Sequence, residues 1–228
     1  MDRYDQNRGV FSLNDMDVFQ KKTVMIVGLG GLGGYLANSL VRLGFSDFIL
    51  VDHDHFTQSN LNRQVFCTEK TVGMKKTDVT KNALLDIHHA VRIDTFDQRI
   101  ETLDMSMLRK PDVLFDAVDS PNVKCYLEQL AHQLNIPLVH GAIGGWYGQL
   151  GILLPNVNRL ESLYHLHEQG MENDLKSPTF TPAIIANMMV LEYAKYLTCP
   201  KDALVNKILF CDTLNHEYRV LFEEEESR

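Results

Sequence analysis

Six residues constrain this chain more than any others: Gly28-Leu29-Gly30-Gly31-Leu32-Gly33. They follow a short β-branched apolar run, Thr23-Val24-Met25-Ile26-Val27, and precede a stretch in which Leu36, Leu40, Val41 and Leu43 recur at helical spacing. A strand, a tight turn and a helix are therefore implied. In such a unit the first glycine permits the turn, the second lets backbone approach a phosphate, and the third lets the helix pack closely on the strand. The free N–H groups at the helix start attract an anion. A glycine pattern of this kind is weak evidence alone, because it occurs in dinucleotide enzymes of many kinds and sometimes by chance.

The next segments narrow the choice. Asp52 follows Phe48-Ile49-Leu50-Val51, so it stands at the carboxyl end of the second strand, where a carboxylate can accept hydrogen bonds from both hydroxyls of a ribose. NAD and ATP fit that equally. The loop beyond it adds Arg63 and Lys76. A dinucleotide pyrophosphate carries about two charges and is held by the glycine loop, whereas a triphosphate carries about four and needs such counter-charge. Asp119, beyond the apolar run Val113-Leu114-Phe115, then suits a magnesium ligand, since a hard cation takes carboxylate oxygen and bridges phosphate oxygens. Read singly, each residue has a plainer role: Asp52 a loop cap, Arg63 and Lys76 surface charges, Asp119 a cap for the helix that Ser120-Pro121 announces. Their order along the chain favours the binding role, while Lys75 reads as solvent-exposed.

These ordered motifs resemble the E1-like activating enzymes of the ThiF/MoeB/HesA group. The resemblance runs through Arg3-Tyr4, Ser59-Asn60-Leu61-Asn62-Arg63-Gln64, Val72-Gly73-Met74-Lys75-Lys76, Ala117-Val118-Asp119-Ser120 and Pro137-Leu138-Val139-His140-Gly141-Ala142, and so covers nearly the whole chain. Enzymes of that group adenylate the C-terminal carboxylate of a small ubiquitin-fold protein. The resemblance implies that Gly28, Gly30, Gly31 and Gly33 form the nucleotide cradle and that Asp52, with Asp54 beside it, serves the ribose end. It implies that Asn60, Arg63 and Lys76 contact the phosphate chain, flanked by Gln64 and Ser120. Arg63, Lys76 and Asp119 become the catalytic set, with ATP as nucleotide and Asp119 holding Mg2+. The implied partner is a small ubiquitin-like sulfur carrier with a Gly-Gly C-terminus, serving thiamine or molybdopterin-type cofactor synthesis. A homodimer is expected.

Three departures limit the resemblance. Where relatives carry an Arg-Tyr-x-Arg motif whose second arginine reaches the partner's site, this chain reads Arg3-Tyr4-Asp5-Gln6-Asn7-Arg8, leaving Arg3 or Arg8 as substitutes. The cysteines stand singly at 67, 125, 199 and 211, without the paired spacing of a zinc site, so no zinc is expected. The stretch from Gly170 to Pro182 contains no cysteine for a thioester, so the acyl adenylate is expected to pass on directly.

Composition fits a compact enzyme: 228 residues, 45% apolar, mean hydropathy −0.15. The absence of a long apolar run and of an apolar leader predicts a cytoplasmic location with no membrane partner. A net charge of −8 opposes general nucleic-acid binding. Glu223-Glu224-Glu225-Glu226 reads as a solvated acidic tail. The pairs His53/His55 and His165/His167 lack partners for a metal, and Cys67 reads as a small buried thiol.

Periodicity predicts helices near 12–20, 31–43, 75–89, 121–135 and 181–197, and strands near 23–28, 47–52, 91–97, 112–116, 137–141, 147–154, 207–212 and 216–222. Ser12 and Asp15 have capping-box spacing. Early alternation implies a Rossmann-like, doubly wound and mostly parallel α/β sheet, and the late run of strands implies an antiparallel C-terminal extension. The whole reads as one domain, with 155–182 as a crossover loop. Glycines at 141, 144, 145, 148 and 151 around Trp146-Tyr147 suggest either close backbone approach near the ligand or a turn with an aromatic plug. Two other activities stay open: an adenylating dehydratase acting on a small carboxylate or modified tRNA nucleoside, and an NAD(P)-dependent dehydrogenase.

Overall fold

Strands β1 (Thr23–Val27), β2 (Asp47–Val51) and β4 (Val113–Asp116) are buried along nearly their whole length, as strands covered on both faces must be. In the computed structural model, which describes residues 3–164 and 175–221, they join β3 (Arg92–Phe96) and β5 (Leu138–Gly144) in a parallel array. Three more strands, β6 (Tyr147–Leu153), β7 (Ile208–Asp212) and β8 (Glu217–Leu221), continue it antiparallel. The order is β3-β2-β1-β4-β5-β6-β7-β8 in one sheet. This is the mostly parallel, doubly wound sheet with an antiparallel extension that the alternation predicts.

Helices cover both faces. On one side α1 (Leu13–Gln20), α2 (Gly31–Leu43) and α6 (Phe180–Thr198) bury Phe19, Leu36, Leu40, Met189 and Tyr193 in one cluster. On the other, α4 (Pro121–Leu134) and the short α5 (Leu160–Tyr164) bury Leu127, Leu130 and Leu160 against the opposite pleats of β1 and β4. Helix α3 (Lys76–Ile87) follows the long loop after β2. Ser12 caps α1 in a reciprocal box with Asp15, each accepting the other's backbone N–H. No described helix is long and apolar enough to cross a membrane.

Two expectations change. The stretch 155–182 is not wholly loop, because α5 forms within it and α6 begins at Phe180. Helix α5 has no cap of its own in sequence; Glu128 from α4 accepts the Arg159 and Leu160 N–H groups at 2.8 and 3.1 Å. Gly141 and Gly148 make room for helix packing: a Cβ at Gly141 would lie 2.3 Å from Met189 Sδ, and one at Gly148 2.4 Å from Ile185, both on α6, whereas one at Gly151 would lie 2.0 Å from the backbone oxygen of Lys207. The aromatic plug is real as well, with Trp146 against Phe180 at 4.7 Å between ring centroids. Residues 165–174 and the acidic tail, with His165 and His167, lie outside the described residues.

Candidate active site

Strand order reverses between β1 and β4, which are neighbours in the sheet but far apart in the chain. Loops leaving the carboxyl ends of two such strands diverge to opposite faces and leave a crevice. A cavity of about 660 Å³ opens there, walled by the glycine loop, the loop after β2, Lys76, and the Ala117–Ser120 turn after β4.

Two positions of the glycine loop, Gly28 and Gly33, are held too tightly for a side chain. Gly28 has φ +88°, donates its N–H to Val51 O at 2.9 Å, and a Cβ there would stand 2.6 Å from Ala117 O. A Cβ at Gly33 would stand 1.8 Å from Gly28 O, so helix and loop touch through backbone. Gly30 is the N-cap of α2 and offers no side-chain cap, which leaves first-turn N–H groups for an anion. Gly30 and Gly31 both face the cavity.

Asp52 is buried, and its first task is internal. One carboxylate oxygen accepts Leu29 N–H at 2.6 Å and the other accepts Asp54 N–H at 2.8 Å, tying the end of β2 to the glycine loop. Each oxygen keeps a lone pair for a ribose hydroxyl. Lys76 starts α3 and is buried; its ammonium donates to Asp54 Oδ2 at 2.9 Å and lies 3.9 Å from Asp52 Oδ2. Partial burial pushes the Asp54 carboxyl up, but the hydrogen bond and charge of Lys76 outweigh it and hold the group below its usual range.

Arg63 lines the cavity with Nη1 donating to Ser59 O and Asn62 Oδ1, both at 2.9 Å. Among the described residues it has no carboxylate partner. Gln64 is buried on the same wall, and its Oε1 has no hydrogen-bond partner among the described residues. Asp119 stands exposed on the wall and Ser120 is the N-cap of α4 without a cap bond, so the capping role open to Asp119 is not used.

Asn60 is not among the residues that line the cavity. Its Oδ1 accepts Thr57 N–H at 3.0 Å in a capping box, and the side chain does not reach the cavity wall. It shapes the turn that carries Arg63 and Gln64. Lys75 is half-exposed and pairs with Asp97 at 2.7 Å, away from the cavity. Cys67 is buried, which pushes its thiol up. At the N-terminus Arg3 donates to Ile87 O at 3.1 Å and Arg8 pairs with Asp5 at 3.0 Å, and neither lines this cavity.

Sequence reasoning missed several wall residues, among them His53, Arg99, Glu101 and Lys176, which come from loops without periodicity. It also missed a fully buried polar group behind the turn. Asp116 accepts from Lys124 Nζ at 3.3 Å, from His140 Nδ1 at 2.7 Å and from Val118 N–H at 3.2 Å; Lys124 also donates to Gly141 O at 2.8 Å. Burial raises the Asp116 carboxyl, yet Lys124 and His140 prevail and keep it ionised. Burial lowers His140 more than Asp116 raises it, so the imidazole is neutral near pH 7. One signal was available: Lys124 and Glu128 share the core-facing stripe of α4 with Leu127 and Ala131.

The residues present fit a nucleotide triphosphate and a hard cation. An uncapped helix start and a guanidinium with no carboxylate partner among the described residues suit the phosphates, the unpartnered Gln64 Oε1 can accept a nucleotide N–H or O–H, and Asp119 offers carboxylate oxygen to a hard cation. The relatives agree in shape. Over 99% of this chain and 72% of the other, the fold superposes on a crystal structure of Escherichia coli MccB with ATP at a TM-score of 0.81 and 20% identity. In sequence the chain is 25% identical over 201 residues to a molybdopterin-synthase adenylyltransferase of Haemophilus influenzae, covering 86% of this chain and 83% of that protein. It is 24% identical over 223 residues to the adenylyltransferase and sulfurtransferase MOCS3 of Arabidopsis thaliana, covering 92% of this chain and 47% of that protein. The chain thus spans about half the length of the MOCS3-type relatives it matches. A sequence model of the ThiF family matches residues 4–227, and with the glycine loop, the loop after β2 and Asp119 converging on one cavity, the chain belongs to the ThiF family.

Proposed function

We propose that this chain is an ATP-dependent adenylyltransferase that activates the C-terminal carboxylate of a small ubiquitin-like sulfur-carrier protein. The observation that carries the reading is the convergence, on one cavity, of an uncapped helix start, Arg63 and Lys76, and Asp119. Family membership and the adenylyltransferase relatives support it.

The chemistry joins two anions. A carboxylate oxygen attacks the α-phosphorus of ATP, a P–O bond forms to the acyl group, and the bond to the β-phosphate breaks with release of pyrophosphate. The N–H groups at the start of α2 bind the phosphate chain, and Arg63 and Lys76 offset charge on the phosphoryl oxygens. Pre-organised donors of this kind supply much of the stabilisation in phosphoryl and nucleotidyl transfer. Asp52 fixes the glycine loop and faces the ribose. Asp119 would hold Mg2+, which supplies charge neutralisation on phosphate oxygens when bound.

ATP–pyrophosphate exchange decides the matter. Exchange that requires a small Gly-Gly-ended carrier supports the proposal. Exchange only with tRNA or a small acid moves the activity to the dehydratase class, and tight NADH binding without exchange moves it to the dehydrogenases. Thiamine or molybdopterin-type synthesis as the destination, a homodimer as the assembly and the cytoplasm as the compartment extend the same reading. Carrier-dependent thiocarboxylate formation and sedimentation of the purified chain test the first two.

A further inference from the structure

The geometry points to Lys176 as a third phosphate-binding cation of this site, delivered by the segment that leads into α6. The inference rests on the adenylation reading and adds to it a residue that neither the glycine loop nor the Arg63 motif contains.

Charge at the cavity motivates it. Of the two cations legible in the motifs, Lys76 is already met by Asp54 at 2.9 Å and Asp52 at 3.9 Å, so only Arg63 lacks a carboxylate partner among the described residues. A triphosphate carrying about four charges requires more. Lys176 lines the same cavity, is exposed, and has no hydrogen bond or ion pair from its ammonium among the described residues.

Its backbone shows that the placement is held. Lys176 adopts φ +56°, an unusual conformation for a residue with a Cβ, and strain of this kind collects at functional sites. Two hydrogen bonds pin the segment. Gly145 donates its N–H to Lys176 O at 2.8 Å, and Asn62 Nδ2 donates to Ser177 O at 3.1 Å. Asn62 is also the residue whose Oδ1 accepts from Arg63 Nη1 at 2.9 Å. One carboxamide therefore orients the guanidinium with its oxygen and anchors the Lys176 segment with its nitrogen. Arg63 and the Lys176 segment thus share one bracket on the wall of one cavity, although 113 positions separate the two residues in the chain (176 minus 63).

ATP and AMP binding, measured calorimetrically with magnesium present, test it on the full chain carrying Lys176→Gly and Lys176→Arg. Glycine accepts φ +56° without strain, so the first variant removes the ammonium while favouring the native backbone. Loss of a charge-assisted phosphate contact should weaken ATP by about tenfold or more in Lys176→Gly. AMP affinity should stay within about twofold of wild type, and Lys176→Arg should retain most ATP affinity. Equal ATP affinity in wild type and Lys176→Gly overturns the inference. So does a loss shared equally by ATP and AMP, or a defect confined to the KM of the carboxylate substrate. A wild-type chain that binds neither nucleotide overturns the adenylation reading itself and this inference with it.

Discussion

The Lys76 ammonium lies 2.9 Å from Asp54 Oδ2 and 3.9 Å from Asp52 Oδ2, so the lysine of the Lys75-Lys76 motif meets two carboxylates before it meets a nucleotide. Both acids come from the end of β2, and Lys76 N–H also donates to Asp54 O at 3.0 Å. The lysine is pre-organised at the start of α3 by the two carboxylates that follow β2. Arg63 is held differently, by one carbonyl and one amide, with no carboxylate partner among the described residues.

From that arrangement, Arg63→Ala and Lys76→Ala should each lower carrier-dependent ATP–pyrophosphate exchange on the order of a hundredfold, the usual consequence of losing a donor aimed at developing charge. Arg63→Ala should leave thermal stability nearly unchanged. Lys76→Ala should also lower it, because Asp52 and Asp54 lose their counter-charge. Exchange at wild-type rates in both variants would place the phosphate chain elsewhere.

Asp119→Asn keeps the shape of the side chain and removes the charge that a hard cation prefers. The magnesium concentration giving half-maximal exchange should rise severalfold, with folding preserved because Asp119 is exposed on the cavity wall. A magnesium titration that superposes on wild type assigns the metal to another group.

Lys124→Met leaves Asp116 buried beside a neutral side chain. Removing one partner of a fully buried ion pair costs about 3–5 kcal/mol, because the remaining carboxylate loses its counter-charge and keeps only the hydrogen bonds from His140 and Val118. The midpoint of thermal unfolding should fall by on the order of 10 °C. Because Asp116 also accepts Val118 N–H, the turn carrying Asp119 should loosen, visible as faster amide exchange at Val118. An unshifted midpoint would show that the pair adds nothing to the folded state.

The neutral His140 makes a pH prediction with a definite sign. Its pKa is lowered from the ordinary 6.5, with burial as the largest cause, so the unfolded chain takes up a proton at this residue before the folded one does. Stability contributed by this group is therefore full above about pH 6.5 and declines as pH falls below it. Between pH 7.5 and 5.5 the wild-type melting temperature should drop more than that of His140→Gln. Parallel drops in the two proteins count against a neutral buried imidazole.

The boundaries of the helices and strands were legible to within a few residues because two periodicities alternate cleanly. β1, β2 and β4 are short unbroken apolar runs, and α2 repeats Leu32, Leu36 and Leu40 one turn apart. Asn60 shows where motif reading stops. Its place beside Arg63 makes it a candidate phosphate contact, and the pattern does not reveal that an amide three residues after Thr57 also closes a capping box through its Oδ1.

What the sequence determined by itself was therefore local: the glycine turn, the capping of α1, the strand ending at Asp52 and the cations that follow it. These are set by neighbours a few residues apart. The tertiary structure alone decided which distant groups share a cavity, that Lys76 pairs with Asp54, that Glu128 starts α5 from another helix, and that Lys176 lines the same cavity as Arg63. Each of those depends on strand order in the sheet and on loop paths over its carboxyl edge, where contacts join residues far apart in the chain and no period records them.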